Sequence, residues 1–347
     1  MTSVSVVIPC YRYGHLLPAC VASVFDQPGV DVRVLIIDDA SPDDSGQVAR
    51  SLAAADPRVQ ARVHEVNRGH IATYNEGLDL ADGDYVTLLS ADDLLTPGSL
   101  TRATGLLDAN PRVGFAYGYS VYFDGSQPLP PLRLTRPRSR VWDGEEWIAR
   151  RCRNGTNIIS SPEVVVRTAL HRQVGGYRPD LPHSGDLEMW LRLAARGDVG
   201  VIAGVDQALY RVHQQSMSRT AYATAVADLE QRHAAFETFF DTSAGHLRHP
   251  EPLRLRAASA VARRAWWRAS RLCRTPTEEA RQTADRLAEF GLRIAPQATR
   301  SMEYRAWRWA SAPGPSALWT RVPVLATAAR GRAESWLYWR ARKWTCV

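Results

Sequence analysis

The sequence predicts an α/β fold: a mixed, mainly parallel sheet with helices on both faces, followed by a helical C-terminal region. Three observations carry this reading. Short apolar, β-branched runs alternate with stretches of helical periodicity through the first 125 residues. Two of those runs end in adjacent carboxylates, Asp38-Asp39 and Asp92-Asp93. The composition then changes: residues 251–347 carry 19 of the 43 Lys and Arg but only 7 of the 36 Asp and Glu, and 8 of the 11 Trp lie after residue 250. The predicted division is a sheet domain over 1–216 and a helical, basic, Trp-rich region over 217–347.

"VSVVI" at 4–8 is a β-branched run stopped by Pro9. Leu16, Leu17, Cys20, Val21 and Val24 follow at helical spacing. "VRVLIID" at 32–38 is the second strand, and Ser41, Asp43 and Asp44 offer caps for the helix after it. "VQARVHEV" at 59–66 reads as a third strand and "IATYNEGLDLA" as a third helix. "YVTLL" at 85–89 is the fourth strand; Thr96 is then the expected N-cap, with Pro97 at the first helical position. "VGFAYGYSVYF" at 113–123 predicts one fifth strand, and the Pro- and Arg-rich residues 126–142 predict a loop. A helix near 144–151, a strand at "VVVR", a turn at "GGYRPDLP" and a helix at "DLEMWLRLAARG" complete the first domain. Helical patterns dominate from about residue 217, with a break at 245–252.

Hydrophobic content of 45% and charged content of 23% are ordinary for a globular enzyme. No run approaches ~18 consecutive apolar residues, so no spanning helix is expected. The stretch "MTSVSVVIPCYRYG" does not read as a signal peptide. Five scattered cysteines without a C-x-x-C pair fit reduced thiols. The expected location is cytoplasmic, with the inner face of a membrane as the alternative.

Ligands of open α/β sheets bind at the carboxyl ends of the strands. Asp38 and Asp39, and Asp92 and Asp93, should therefore face one crevice. Carboxylates are hard ligands suited to Mg²⁺ or Mn²⁺, which are held by few side chains together with substrate phosphates. The plainer reading of the second pair is a helix cap and a solvated acid.

The ordered set "VSVVIPCYRYGHLLPACVASVFDQ", "VLIIDDASPDDS", "NRGHIATYNEGLDLADGDYVTLLSADDLLTPGSL" and "GGY" resembles glycosyltransferase family 2 over about residues 3–215. The resemblance implies a GT-A fold, a nucleotide-diphospho-sugar donor, a divalent metal and inversion at the anomeric carbon. It also implies roles. Pro9 and Tyr11 lie on the loop that meets the nucleobase, where Tyr11 can stack. Asp39 accepts a hydrogen bond from the base, Arg68 pairs with phosphate, and Asn75 gives structural support. The usual Asp-x-Asp stands here as Ser90-Ala91-Asp92, with a hydroxyl in place of the first acid. Asp92 remains the expected metal ligand, joined by His213. Asp186, in "LPHSGDLEMWLRLAARG", matches the catalytic base, with Asp93, Trp190 and His183 on the acceptor or sugar side.

UDP or dTDP is the expected nucleotide. The acceptor is a natural product, a glycan or a lipid-linked sugar. Two other readings stand beside this one: a catalytically decayed nucleotide-sugar-binding scaffold, and a nucleotidyltransferase-like enzyme, for which Arg12 is the only obvious activating cation. For the tail, which interleaves Arg and Trp, packing on the catalytic domain or in a homodimer competes with contact at an anionic membrane surface. Nucleic acid is not expected, because no recognised binding motif accompanies the basic stretch.

Overall fold

Val4, Val6, Val7 and Ile8 of the first strand, β1 (Ser3–Cys10), are completely buried, as a strand covered on both faces requires. The structure, a computed structural model, describes residues 1–213 and 224–312. Contacts group these residues into two compact units, 1–147 with 158–213, and 148–157 with 224–312.

In the first unit β1 pairs in parallel with β2 (Asp31–Asp38) and with β4 (Tyr85–Leu88). β2 carries β3 (Val59–Val63) on its far side, also parallel. Beyond β4 the sheet becomes mixed. β9 (Val165–Arg167) runs antiparallel between β4 and β6 (Val113–Tyr117). β10 (Asp198–Ala203) lies parallel to β6, and β8 (Arg138–Trp142) closes the edge antiparallel to β10. The strand order is β3-β2-β1-β4-β9-β6-β10-β8. A second sheet joins β5 (Leu94–Leu95), β11 (Ala208–Arg211) and β7 (Ser120–Phe123), with β11 in the middle. The helices of this unit are α1 (Leu17–Phe25), α2 (Ser45–Ala55), α3 (His70–Leu80), α4 (Ser99–Ala109), the first turn of α5 (Gly144–Asn154), α6 (Thr168–Val174) and α7 (Gly185–Ala194). Gly77 lets α3 press onto β1: a Cβ there would lie 2.2 Å from Val7 Cγ1.

Several sequence expectations change. Pro9 does not stop β1; it pairs opposite Ile37 within the strand. The Val7 carbonyl accepts from Leu89 N–H, so residues 7 and 9 face the β4 side, where the ladder has already ended and no donor is needed from Pro9. The fifth strand is two strands. Between them Gly118 sits so close to Gln207 that a Cβ would lie 2.3 Å from its Cγ, and the chain passes there into the second sheet. Thr96 is not an N-cap. It is fully buried and its hydroxyl donates to Asp206 O (2.6 Å), while the helix starts at Ser99 behind Gly98 at φ +71°. The loop expected over 126–142 ends in β8, whose outward residues Arg138 to Val141 are exposed. Charged side chains on an edge strand prevent further pairing.

The second unit adds helices α8 (Ala225–Thr242), α9 (Pro250–Leu272), α10 (Glu278–Ile294) and α11 (Met302–Ala310). Thr224, Thr277 and Ser301 cap three of them, each hydroxyl accepting from the N–H three residues on. Trp266 is the centre of this unit: fully buried, donating to Ala288 O (3.2 Å), edge-on to Tyr304, and pressed against Gly291. Trp309 is 49% exposed. The Trp- and Arg-rich residues 313–347, and 214–223, lie outside the described residues. No helix among the described residues is long and apolar enough to cross a membrane.

Candidate active site

The carboxyl ends of β1, β2 and β4 and the start of α7 bring the candidate residues of the first unit together. At the end of β1, Tyr11 is 42% exposed and Pro9 partly so. Arg12 takes φ +66°, and its N–H donates to Ser41 Oγ (2.9 Å). Ser41 in turn donates from Oγ and N–H to the Asp38 carboxylate. Asp38 is 1% exposed, so it ties the first two strand-end loops together and presents nothing to a ligand.

Asp39 is the next residue, and its carboxylate is held by three donors. Arg68 N–H (2.8 Å) and His64 Nδ1 (2.8 Å) meet Oδ1, and Gly69 N–H (2.9 Å) meets Oδ2. Burial works to raise the Asp39 pKa, but the N–H groups of Arg68 and Gly69 and the His64 ring outweigh it and hold the carboxyl below the usual range. The Arg68 guanidinium, expected on phosphate, is exposed and meets Glu76 Oε2 at 3.0 Å. Asn75 clasps Tyr177 from both sides of its amide: Nδ2 donates to Tyr177 O (2.8 Å) and Oδ1 accepts from Tyr177 N–H (2.7 Å).

After β4 the chain turns through Ser90, buried Ala91, Asp92 and Asp93, the turn closed by Asp93 N–H on Ser90 O (3.0 Å). The antiparallel pairing of β5 with β11 lays residues 208–213 alongside this turn. Arg211 N–H donates to Asp93 Oδ1 (2.8 Å), and Arg211 Nε donates to Asp92 O (3.1 Å). Two residues further, His213 Nε2 reaches Asp92 Oδ2 at 3.2 Å and the Tyr13 hydroxyl at 2.9 Å. Asp93, expected on the sugar or acceptor side, is 2% exposed and lies beneath the loop. Burial and the neighbouring Asp92 charge push its carboxyl well above the usual range. Burial, then Asp92 and Asp93, push Tyr13 up to about 12.

Asp186 is the second residue of α7, with Ser184 at the N-cap. Its carboxylate accepts from Ser161 Oγ (2.8 Å) and from the Tyr177 hydroxyl. Burial raises its pKa, opposed by those two hydroxyls and by His70 and His183. His183 is half-buried beside it. Trp190, expected to line the acceptor site, is 3% exposed and stacks on Phe115 at 5.8 Å; four residues from Asp186 on the same helix, it turns inward. Tyr74 and Tyr210, both raised first by burial, are raised also by the charges of Asp92, Asp93 and Asp186.

Among the described residues no cluster of three or more His, Cys, Asp or Glu is arranged to hold a metal. Asp92 and His213 nonetheless fit a Mg²⁺ or Mn²⁺ that takes its other ligands from phosphates and water. Neighbouring ligands of an octahedral ion with bonds of ~2.1 Å lie about 3 Å apart, close to the 3.2 Å between these two donors. Both are partly exposed, at 13% and 21% of the side chain.

Sequence reasoning missed Tyr13, His64, Ser161 and the Tyr177 hydroxyl as members of this site. None lies in a pattern that marks it; each enters through a contact between distant segments.

The family described as Glycosyl transferase family 2 matches residues 5–165. Residues 5–165 therefore carry a glycosyltransferase family 2 domain. The Escherichia coli glycosyltransferase YibD is 34% identical over 225 residues, 62% of this chain and 63% of that protein. The chain spans less than two thirds of the length of the curated relatives it matches. Among solved structures, residues 1–349 of TarS from S. aureus, in complex with UDP-GlcNAc, superpose with a TM-score of 0.66 at 15% identity, covering 89% of this chain and 90% of TarS 1–349. The mannosyltransferase PcManGT of Pyrobaculum calidifontis, in complex with GDP-Man and Mn²⁺, gives 0.53 at 16% identity over 95% of this chain and 86% of that one. At these identities the structures speak for the fold, and this chain shares their GT-A architecture.

Proposed function

We propose that the chain is an inverting glycosyltransferase that moves a sugar from a nucleotide-diphospho sugar, carried by UDP or dTDP, to a hydroxyl-bearing acceptor. The observation that carries the proposal is the geometry of two acids: Asp92 within 3.2 Å of His213, and Asp186 held by Ser161 Oγ at 2.8 Å. Asp92 with His213 sits at the strand ends, and Asp186, raised by burial, sits at the start of α7. A carboxylate raised toward neutrality while still held by hydroxyls is a suitable general base. Asp186 takes the acceptor proton as the acceptor oxygen attacks the anomeric carbon. The bond from that carbon to the diphosphate oxygen breaks, and the nucleoside diphosphate leaves from the opposite face, which inverts the configuration. Asp92 and His213 would hold a Mg²⁺ or Mn²⁺, which when bound offsets the charge of the leaving diphosphate. Tyr11 and Asp39 serve the nucleobase. Ser90 serves the ribose side of the loop, Asp93 holds that loop in shape, and His183 lines the acceptor approach. UDP-GlcNAc on TarS supports a UDP donor.

The test is Asp186→Asn. The variant should lose nucleotide release from a sugar donor in the presence of acceptor, while UDP titrated with Mn²⁺ binds as in the wild type. Transfer at the wild-type rate would remove the base from this reading.

A further inference from the structure

His64 follows β3, and its N–H donates to Asp38 O (2.9 Å), continuing the β2–β3 ladder by one residue. This sets the ring against Asp39. The side chain is 4% exposed, and both ring nitrogens meet carboxylate oxygens: Nδ1 on Asp39 Oδ1 at 2.8 Å, Nε2 on Glu76 Oε2 at 3.0 Å. Asp39 is held ionised by its N–H donors, so its oxygens only accept. The Glu76 oxygens accept from Arg68 Nη1 (3.0 Å) and Arg62 Nη1 (3.5 Å). The contact with Asp39 therefore needs a proton on Nδ1, which donates to Asp39 Oδ1.

The contacts close on themselves. Asp39 meets the His64 ring, the ring meets Glu76, Glu76 meets the Arg68 guanidinium, and Arg68 N–H returns to Asp39. The other charged groups on the ring's neighbours are Arg62 on β3 and, at the loop, Arg68. Three protein donors occupy Asp39 and leave one lone pair on Oδ2 for a ligand, in one direction.

We propose that His64 is a positioning residue for the nucleotide site: it clamps Asp39 between β2 and α3 so that the free lone pair of Asp39 faces the nucleobase. The inference rests on the reading that Asp39 accepts a hydrogen bond from the base. Removing the ring takes away the group that spans Asp39 and Glu76 and leaves Asp39 with its two backbone donors alone.

The experiment uses the full chain with UDP and Mn²⁺ as probe, titrated calorimetrically. His64→Ala should bind about tenfold more weakly, the effect of one hydrogen bond to a charged group. His64→Asn, whose amide nitrogen can still donate from the place of Nδ1, should recover most of that loss. Wild-type affinity in His64→Ala, or no recovery in His64→Asn, overturns the proposal. In parallel, ¹⁵N spectra of histidine-labelled protein, with His64 assigned by its loss in His64→Asn, should show a proton on Nδ1. A bare Nδ1 overturns the proposal whether or not the variants fold. Asp39→Asn separates the two layers. If it binds UDP as well as wild type, the base-binding reading of Asp39 fails and this proposal with it. If it binds weakly while His64→Ala binds as wild type, only the role of His64 fails.

Discussion

Ser161 holds the Asp186 carboxylate, and removing its hydroxyl tests the proposal that Asp186 is the base. Burial drives the Asp186 carboxyl upward, and the Ser161 hydroxyl, 2.8 Å from Oδ2, is the largest influence opposing it. Without that donor the carboxyl holds its proton to higher pH, so the base form is scarcer on the acid side of the rate profile. A hydrogen bond to a charged group is worth about 1.5–3 kcal/mol, so the rate on the acid side should fall about tenfold to a hundredfold. On the alkaline side, where Asp186 is ionised in both proteins, variant and wild type should converge to within about threefold. The backbone selects the substitution. Ser161 has φ +79°, a conformation free to Gly and strained by about 1 kcal/mol or more in other residues. Ser161→Gly removes the hydroxyl and relieves that strain, whereas Ser161→Ala removes the hydroxyl and keeps it. The assay is UDP release as a function of pH at saturating donor, with thermal melts of both variants. A Ser161→Gly profile lowered by the same factor at every pH, with no displacement of the acid limb, would refute the reasoning.

Asp93→Asn should melt at or above the wild-type temperature at pH 8. The carboxyl of Asp93 is raised by burial and by Asp92, so the folded chain keeps its proton where the unfolded chain releases it. The stability of the neutral form is complete below about pH 4 and declines as pH rises toward the raised value. The variant should lose that part of the decline, and a melt several degrees lower at pH 8 would count against a neutral Asp93. Gly77→Ala forces a Cβ to 2.2 Å from Val7 Cγ1. At about 1–3 kcal/mol for overpacking, its melting temperature should drop by several degrees, and an unchanged melt would show that α3 can shift freely on β1. Ser90→Asp adds a carboxylate two residues before Asp92. UDP affinity measured with and without Mn²⁺ should gain about tenfold in its metal-dependent part, and no gain would mean that residue 90 does not face the ion.

The order of strands and helices through residue 109 was legible because each element there is made of residues adjacent in sequence, with apolar periodicity that matches its burial. β8 was not, because an edge strand needs no inward face and its Arg and Pro neighbours look like a loop. β5 and β11 were not, because two to four residues give no period; they exist through pairing across 113 positions. The site divides along the same line. Asp39, Asp92 and Asp186 stand at strand or helix ends and could be named from position and resemblance. Their partners could not. Ser161 reaches Asp186 across 25 residues, Tyr13 reaches His213 across 200, and His64 reaches Asp39 across 25. Trp190 was misplaced because sharing a helical face with Asp186 does not say how deep that face lies.

The two adjacent acids after β4 are explained by their opposite environments. The turn closed by Asp93 N–H on Ser90 O buries one acid and leaves the other partly exposed. Asp93 points in, is pushed by burial toward its neutral form, and uses one oxygen to hold Arg211 N–H, which fixes β11 against β5. Asp92 points out, stays partly exposed, and receives His213 from the end of the strand that Asp93 has anchored. The two acids are thus joined through one segment: Asp93 holds Arg211 N–H, and two residues on His213 meets both Asp92 and the Tyr13 hydroxyl. With Ser90 in place of the first acid, the loop has no third carboxylate whose charge would raise Asp93 still further.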